Sequence, residues 1–114
     1  MDYQDIKEIR ERVDVEEIAA QLAEEAAELA IAANKLRRAI SGVNPTPVTE
    51  AEAKRNIVEE LADVTLCAVL LFGVQPYEMT RFWDVQNSKC ARWVQRLKEA
   101  EAQTNGTAES ESSL

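Results

Sequence analysis

Asp63 is the only charged residue in the fourteen-residue stretch LADVTLCAVLLFGV that runs from Leu61 to Val74. An ionised carboxylate left unpaired in an apolar interior costs several kcal/mol or stays protonated, so such a residue normally faces a cation. One helical turn earlier stands Glu60, in the string EELADV, and a second pair at the same spacing, Glu25 and Glu28, stands in EEAAEL. Residues i and i+3 of a helix lie about 5–6 Å apart at Cβ, so each pair can aim two carboxylates at one object. Four carboxylates in one pocket repel one another and need divalent cations or trapped protons to coexist. Ions held this way neutralise a triphosphate and acidify a water for attack on phosphorus.

The ion is narrowed by what is missing. The chain has no histidine, which sets aside ferritin-like Glu-x-x-His centres and most catalytic zinc sites. An all-carboxylate cluster suits hard, oxygen-preferring ions, Mg²⁺ first and Mn²⁺ second. Taken singly, an E-x-x-E or E-x-x-D spacing is more often a solvated helix face. Glu25 and Asp63 differ from that background because each interrupts an apolar pattern, whereas Glu16, Glu17, Glu50, Glu52, Glu99 and Glu101 stand where exposure is expected.

Neighbouring residues offer further chemistry. Glu24 and Glu59 each precede a pair by one residue, and either can orient a water as general base or simply face solvent. Lys35 and Arg38, two to three turns beyond Glu28, can meet phosphate oxygens or form surface ion pairs. Further on, Arg81, Lys89, Arg92 and Arg96 recur at helical spacing; they can clamp a pyrophosphate or pair with glutamates. Trp83 and Trp93 are expected in the core or an interface, with base stacking the lesser reading. Cys67 and Cys90 lack C-x-x-C spacing and are expected to be small buried hydrophobes.

Helices must position these groups. Only three Gly and three Pro occur among 114 residues, and Ala, Glu, Leu, Lys and Arg dominate, so the chain is expected to be all-α. A short helical lead-in covers residues 1–12. A long helix follows from Val15 to Ile40, whose apolar stripe Ile18, Leu22, Leu29, Ala32, Leu36 and Ile40 has Glu25 in its gap. Gly42 is a plausible C-cap, VNPTPV a loop, and Thr49 with Glu52 a capping box opening a helix that ends near Phe72. That helix is apolar on two faces and so central in its bundle. Pro76 opens the last helix, which carries Met79, Phe82, Trp83, Cys90, Trp93, Val94 and Leu97 and is expected to end near Ala102. Residues 1–103 are read as one domain and 104–114 as a disordered tail.

With 46% hydrophobic residues the chain is a folded protein. A net charge of −8 argues against nucleic-acid binding by blanket attraction to phosphates. No apolar run reaches the length of a membrane span, and the N-terminal DYQDIKEIRER is unlike a signal peptide. A soluble, cytoplasmic protein is expected, with no membrane partner.

EEAAEL, then EELADV, then a basic helix resemble the MazG-like all-α nucleoside triphosphate pyrophosphohydrolases over about Ile18 to Leu97. The string NKLRRAISGVNPTPVTEAEA resembles a phage and prophage branch of that family. The resemblance implies Mg²⁺-dependent hydrolysis of a nucleoside triphosphate, a deoxynucleotide above all, to the monophosphate and pyrophosphate. It implies Glu25, Glu28, Glu60 and Asp63 as metal ligands and Lys35 and Lys89 as phosphate contacts. It also implies a bundle of long antiparallel helices completed by a second subunit, as a homodimer or homotetramer. Family members carry Asn and Lys three apart on the last helix; here Asn87 and Lys89 are two apart. Phosphoribosyl-ATP pyrophosphohydrolase and a dimeric dUTPase are alternatives on the same carboxylate scheme. Outside enzymes, the alternative is a helical interaction module with structural or Ca²⁺-binding carboxylates.

Overall fold

Asp2 accepts a hydrogen bond from the Gln4 N–H at 2.8 Å and so starts α1 (Tyr3–Arg12). The computed structural model describes residues 2–73 and 76–112, and side chains within 2–73 and 80–106. Three more helices follow: α2 (Val15–Ser41), α3 (Glu50–Phe72) and α4 (Pro76–Ser112). No strand occurs among the described residues, and none of their helices is long and apolar enough to cross a membrane. The all-α expectation holds, with the lead-in forming a helix of its own.

The punctuation signals act where the sequence puts them. Gly42 takes φ +70° and its N–H bonds the Arg38 carbonyl at 2.9 Å, closing α2 in the left-handed conformation that glycine adopts without a Cβ clash. Thr49 Oγ1 accepts from the Glu52 N–H at 3.2 Å and opens α3. Replacing Thr49 with Ala should lower stability by about 1 kcal/mol, the usual cost of a lost N-cap, as a urea melt would measure.

Unit Met1–Gly73 contains α1, α2 and α3. Helices α2 and α3 run antiparallel in a register that four contacts define. Ile18 packs with Leu70, Glu25 lies against Asp63, Glu28 against Glu60, and Ala32 shares a cavity wall with Asn56. The steps along the seam are seven, three and four residues on both helices, each one or two turns of the helical repeat. At one end, Ile6 of α1 joins Ile18 and Leu70, with Ile9, Val69 and Leu71 around them. Elsewhere the seam is narrow: Ala32, Ala53 and Cys67 are buried, Ala53 to 1% exposure.

Two expectations about the apolar faces change, one on α3 and one on α2. The inward face of α3 is Ala53, Cys67 and Leu70, while Leu61 and Phe72 are exposed, because α2, joined by α1 at one end, covers only one side of a run that is apolar all round. Ile40, expected in the α2 stripe, is exposed too, since it lies past the last α3 turn that could cover it.

Unit Val74–Leu114 contains α4. This helix continues to Ser112, past the Ala102 end expected from composition; no proline interrupts residues 103–112, and Ala108, Glu109 and Glu111 there are good helix formers. Cys90 is exposed rather than buried, and Trp83 and Trp93 are also exposed. Phe82 and Trp83 meet edge to face, 5.4 Å between centroids. Met79 lies outside the described side chains.

Candidate metal centre

Each carboxylate pair is presented by one helical turn, and the antiparallel register sets the pairs opposite each other. One oxygen from each of Glu25, Glu60 and Asp63 lies within 4.8 Å of the others. Glu25 and Glu60 are half-buried and Asp63 is exposed. That corrects the expectation of a dry interior around Asp63. The apolar run surrounds it in sequence but not in space, because a helix spreads consecutive residues over all its faces.

Glu28 is exposed and lies outside this threesome, yet it hydrogen-bonds the carboxyl of Glu60. Beside them is a cavity of about 190 Å³ walled by Glu28, Ala32, Lys35, Asn56, Glu59 and Glu60. Lys35 and Glu59 are thus gathered to the carboxylates. Glu24 is exposed and lines neither the cavity nor the cluster. Arg38 lines a different hollow at the end of α2. On α4, Lys89 and Arg92 line a groove with Arg81 and Asp84, and Asn87 is not part of its wall.

The electrostatics mark the cluster as incomplete. Burial, followed by the charge and hydrogen bond of Glu28 and the charges of Asp63 and Glu25, pushes the Glu60 carboxyl above its ordinary value of 4.5. Oε2 of Glu25 and Oε2 of Glu60 are both buried without a hydrogen-bond partner. Among the described residues no cation forms an ion pair with any of these acids. Burial, then Glu25 and Asp63, also raises the Cys67 thiol, which keeps this buried neighbour neutral and inert.

The donor set fits a hard divalent cation. The oxygens are carboxylate, two are orphaned, and the excess charge is negative. Opposed ligands of Mg²⁺ stand about 4.2 Å apart at bond lengths near 2.1 Å, so small rotamer shifts suffice to draw these oxygens in.

One residue escaped the sequence reading. Gln21 Nε2 donates to Glu25 Oε1 at 2.8 Å, which fixes the carboxylate and leaves the orphaned Oε2 for a ligand. The available signal was the i, i+4 spacing of Gln and Glu on one helix. Losing a hydrogen bond that orients a ligand typically costs 10–100-fold in metal affinity. Gln21→Ala should therefore weaken Mn²⁺ binding by about that factor in an electron paramagnetic resonance titration. Because Gln21 is exposed, the melting temperature without metal should barely move.

The raised Glu60 carboxyl gives a pH prediction with a definite sign. Between 4.5 and the raised value the folded chain holds a proton that the unfolded chain has lost. Stability from this group is full below 4.5 and declines as pH rises through that window. In Glu60→Gln the decline is absent, so the melting-temperature gap between variant and parent should widen from pH 4.5 toward neutrality. A divalent cation favours the ionised form and should close the gap.

A family model described as phosphoribosyl-ATP pyrophosphohydrolase matches residues 5–87, well over half of the chain, and takes in both carboxylate pairs. No curated protein and no solved structure matches. The chain belongs to the phosphoribosyl-ATP pyrophosphohydrolase family, part of the MazG-like all-α superfamily, whose members are hydrolases acting on acid anhydrides in nucleotides.

Proposed function

We propose that the protein hydrolyses a nucleoside or deoxynucleoside triphosphate to the monophosphate and pyrophosphate with Mg²⁺, Mn²⁺ serving in its place. The observation that carries this reading is the convergence of Glu25, Glu60 and Asp63 with two buried oxygens unpartnered. Glu28, which hydrogen-bonds Glu60, completes the proposed ligand set. When bound, the cations would neutralise the phosphate chain and acidify the attacking water. One water is consumed as the bond between the α-phosphorus and its bridging oxygen breaks, and the proton goes to a carboxylate.

Of the two candidate bases, Glu59 is favoured over Glu24 because it lines the cavity beside Glu28 and Glu60. Lys35, on the same wall, is assigned to a phosphate oxygen. Lys89 is assigned to the leaving pyrophosphate on the family resemblance and Arg92 on its place in the same groove; Asn87 is kept with them, although it stands two residues from Lys89 where the family has three. The exposed apolar side chains of α3 and α4 support a homodimer or homotetramer. The string from Asn34 to Ala53 supports the phage-type branch, and the strongly charged composition a cytoplasmic location. We retain a single domain over 1–103.

A second reading is favoured by the description of the matched family: the substrate is phosphoribosyl-ATP. Both readings break the same bond, so a substrate panel separates them. Purified protein is incubated with each canonical NTP and dNTP, dUTP and phosphoribosyl-ATP, with Mg²⁺ or Mn²⁺, and pyrophosphate and orthophosphate are measured separately. Pyrophosphate release from a deoxynucleotide supports the first reading, and release from phosphoribosyl-ATP alone supports the second. Orthophosphate as the sole product, or no turnover of any nucleotide, would sink both.

A further inference from the structure

The last turns of α2 divide its cations between two places. Lys35 lines the cavity of Glu28 and Glu60, whereas Arg38 and Arg37 line a separate hollow of about 530 Å³ with Asn34, Ser41, Val43 and Asn44. No carboxylate lines this hollow, in a chain with 21 acidic and 13 basic residues. Neither arginine forms an ion pair among the described residues, and Nε of Arg38 is buried with no hydrogen-bond partner. A buried unpaired guanidinium N–H is costly, so a missing acceptor is the simplest account of it.

We propose that this hollow is a second anion site that takes a phosphate monoester dianion, apart from the phosphates at the carboxylates. Arginine presents a planar fork that matches two phosphate oxygens at once. The amides of Asn34 and Asn44 and the hydroxyl of Ser41 add neutral donors on the same wall. Ser41 Oγ already accepts from the Val43 N–H at 3.2 Å, which leaves its own proton free to donate. Asn44, which also lines the hollow, takes φ +53°, a left-handed conformation that asparagine tolerates. The C-terminal end of α2 opposes an anion, but with roughly half an elementary charge against two full positive ones. The guanidinium charges decide the sign.

Ten residues separate Glu28 from Arg38, about 15 Å along a helix axis. A triphosphate held by the carboxylates does not reach that far. The dianion therefore comes either from the far end of a nucleotide phosphorylated at both ends or from free orthophosphate.

The test uses Arg Nε–H signals in ¹⁵N NMR of the full chain carrying Asp63→Asn, without metal, titrated with orthophosphate against chloride of equal ionic strength. The signals of Arg37 and Arg38 should shift saturably with phosphate and not with chloride. In Arg38→Gln the Arg37 response should weaken by about tenfold or more in affinity, and in Arg38→Lys, which keeps the charge but not the fork, it should weaken less. A linear response, an equal response to chloride, or an unchanged response in Arg38→Gln overturns the proposal. The source is read from KM in the protein with Asp63 intact. A tenfold rise in Arg38→Gln for a doubly ended substrate, with the KM of a simple triphosphate unchanged, identifies the substrate's own phosphate. Unchanged KM for both, with the NMR response present, identifies free phosphate. Saturable phosphate binding without turnover of any nucleotide would count against the proposed reaction and leave this site standing.

Discussion

Replacing Glu60 with Gln should raise the melting temperature of the metal-free protein and cut pyrophosphate release at least about a hundredfold, the upper range for losing a mere supporting contact of a metal ligand. The two effects have one cause. Without an ion, the Glu60 carboxylate is half-buried, faces Glu28, Asp63 and Glu25, and holds an oxygen that nothing bonds. The neutral amide keeps the shape, removes the repulsion and can donate to Glu28. With the charge gone, the cluster loses a ligand and much of its hold on a divalent cation. A structural acid would behave the other way, destabilising the protein when neutralised. A lower melting temperature for the variant, or pyrophosphate release within threefold of the parent, would refute the assignment.

The parent protein should sediment as a multiple of 12.8 kDa, and Trp93→Glu combined with Leu97→Glu should reduce it to a single chain. Helix α4 leaves Phe82, Trp83, Trp93, Val94 and Leu97 open, Trp93 to 67%. On unit Met1–Gly73, Val58 and Phe72 are at least 60% exposed. Fully burying a large apolar side chain contributes about 1.5–3 kcal/mol, while association costs on the order of 4–15 kcal/mol. Two or three such side chains do not suffice, but the number left open here does. Placing two charges in that surface should tip the balance, and tryptophan emission should move to longer wavelength as Trp83 returns to water. Sedimentation of the parent as a 12.8 kDa species would show that something other than a second copy covers the patch.

The sequence spoke clearly where the physics is local. The capping box at Thr49, the glycine stop at Gly42, the helical lead-in and the i, i+3 pairing of the carboxylates each depend on residues within one turn of one another. What it left open depends on the register of α2 against α3. That register decides that Glu25 meets Asp63 and that Lys35 and Arg38, three residues apart, serve different hollows. Asp63 shows the limit best. Its apolar neighbours along the chain suggested burial, but exposure is set by which faces have a partner helix, and α2 and the short α1 leave Asp63 uncovered within this unit.

Ala53 is buried to 1% in the seam that α2 and α3 share, two turns from Glu60. Its methyl group acts as the stop on a caliper whose jaws are the opposing acids. A leucine there would wedge the shafts apart, and the opening would be felt as a change of ionic radius preferred, from the small magnesium toward the larger calcium. Ion choice at the proposed centre would thus be dictated partly by hydrocarbon that never touches the ion.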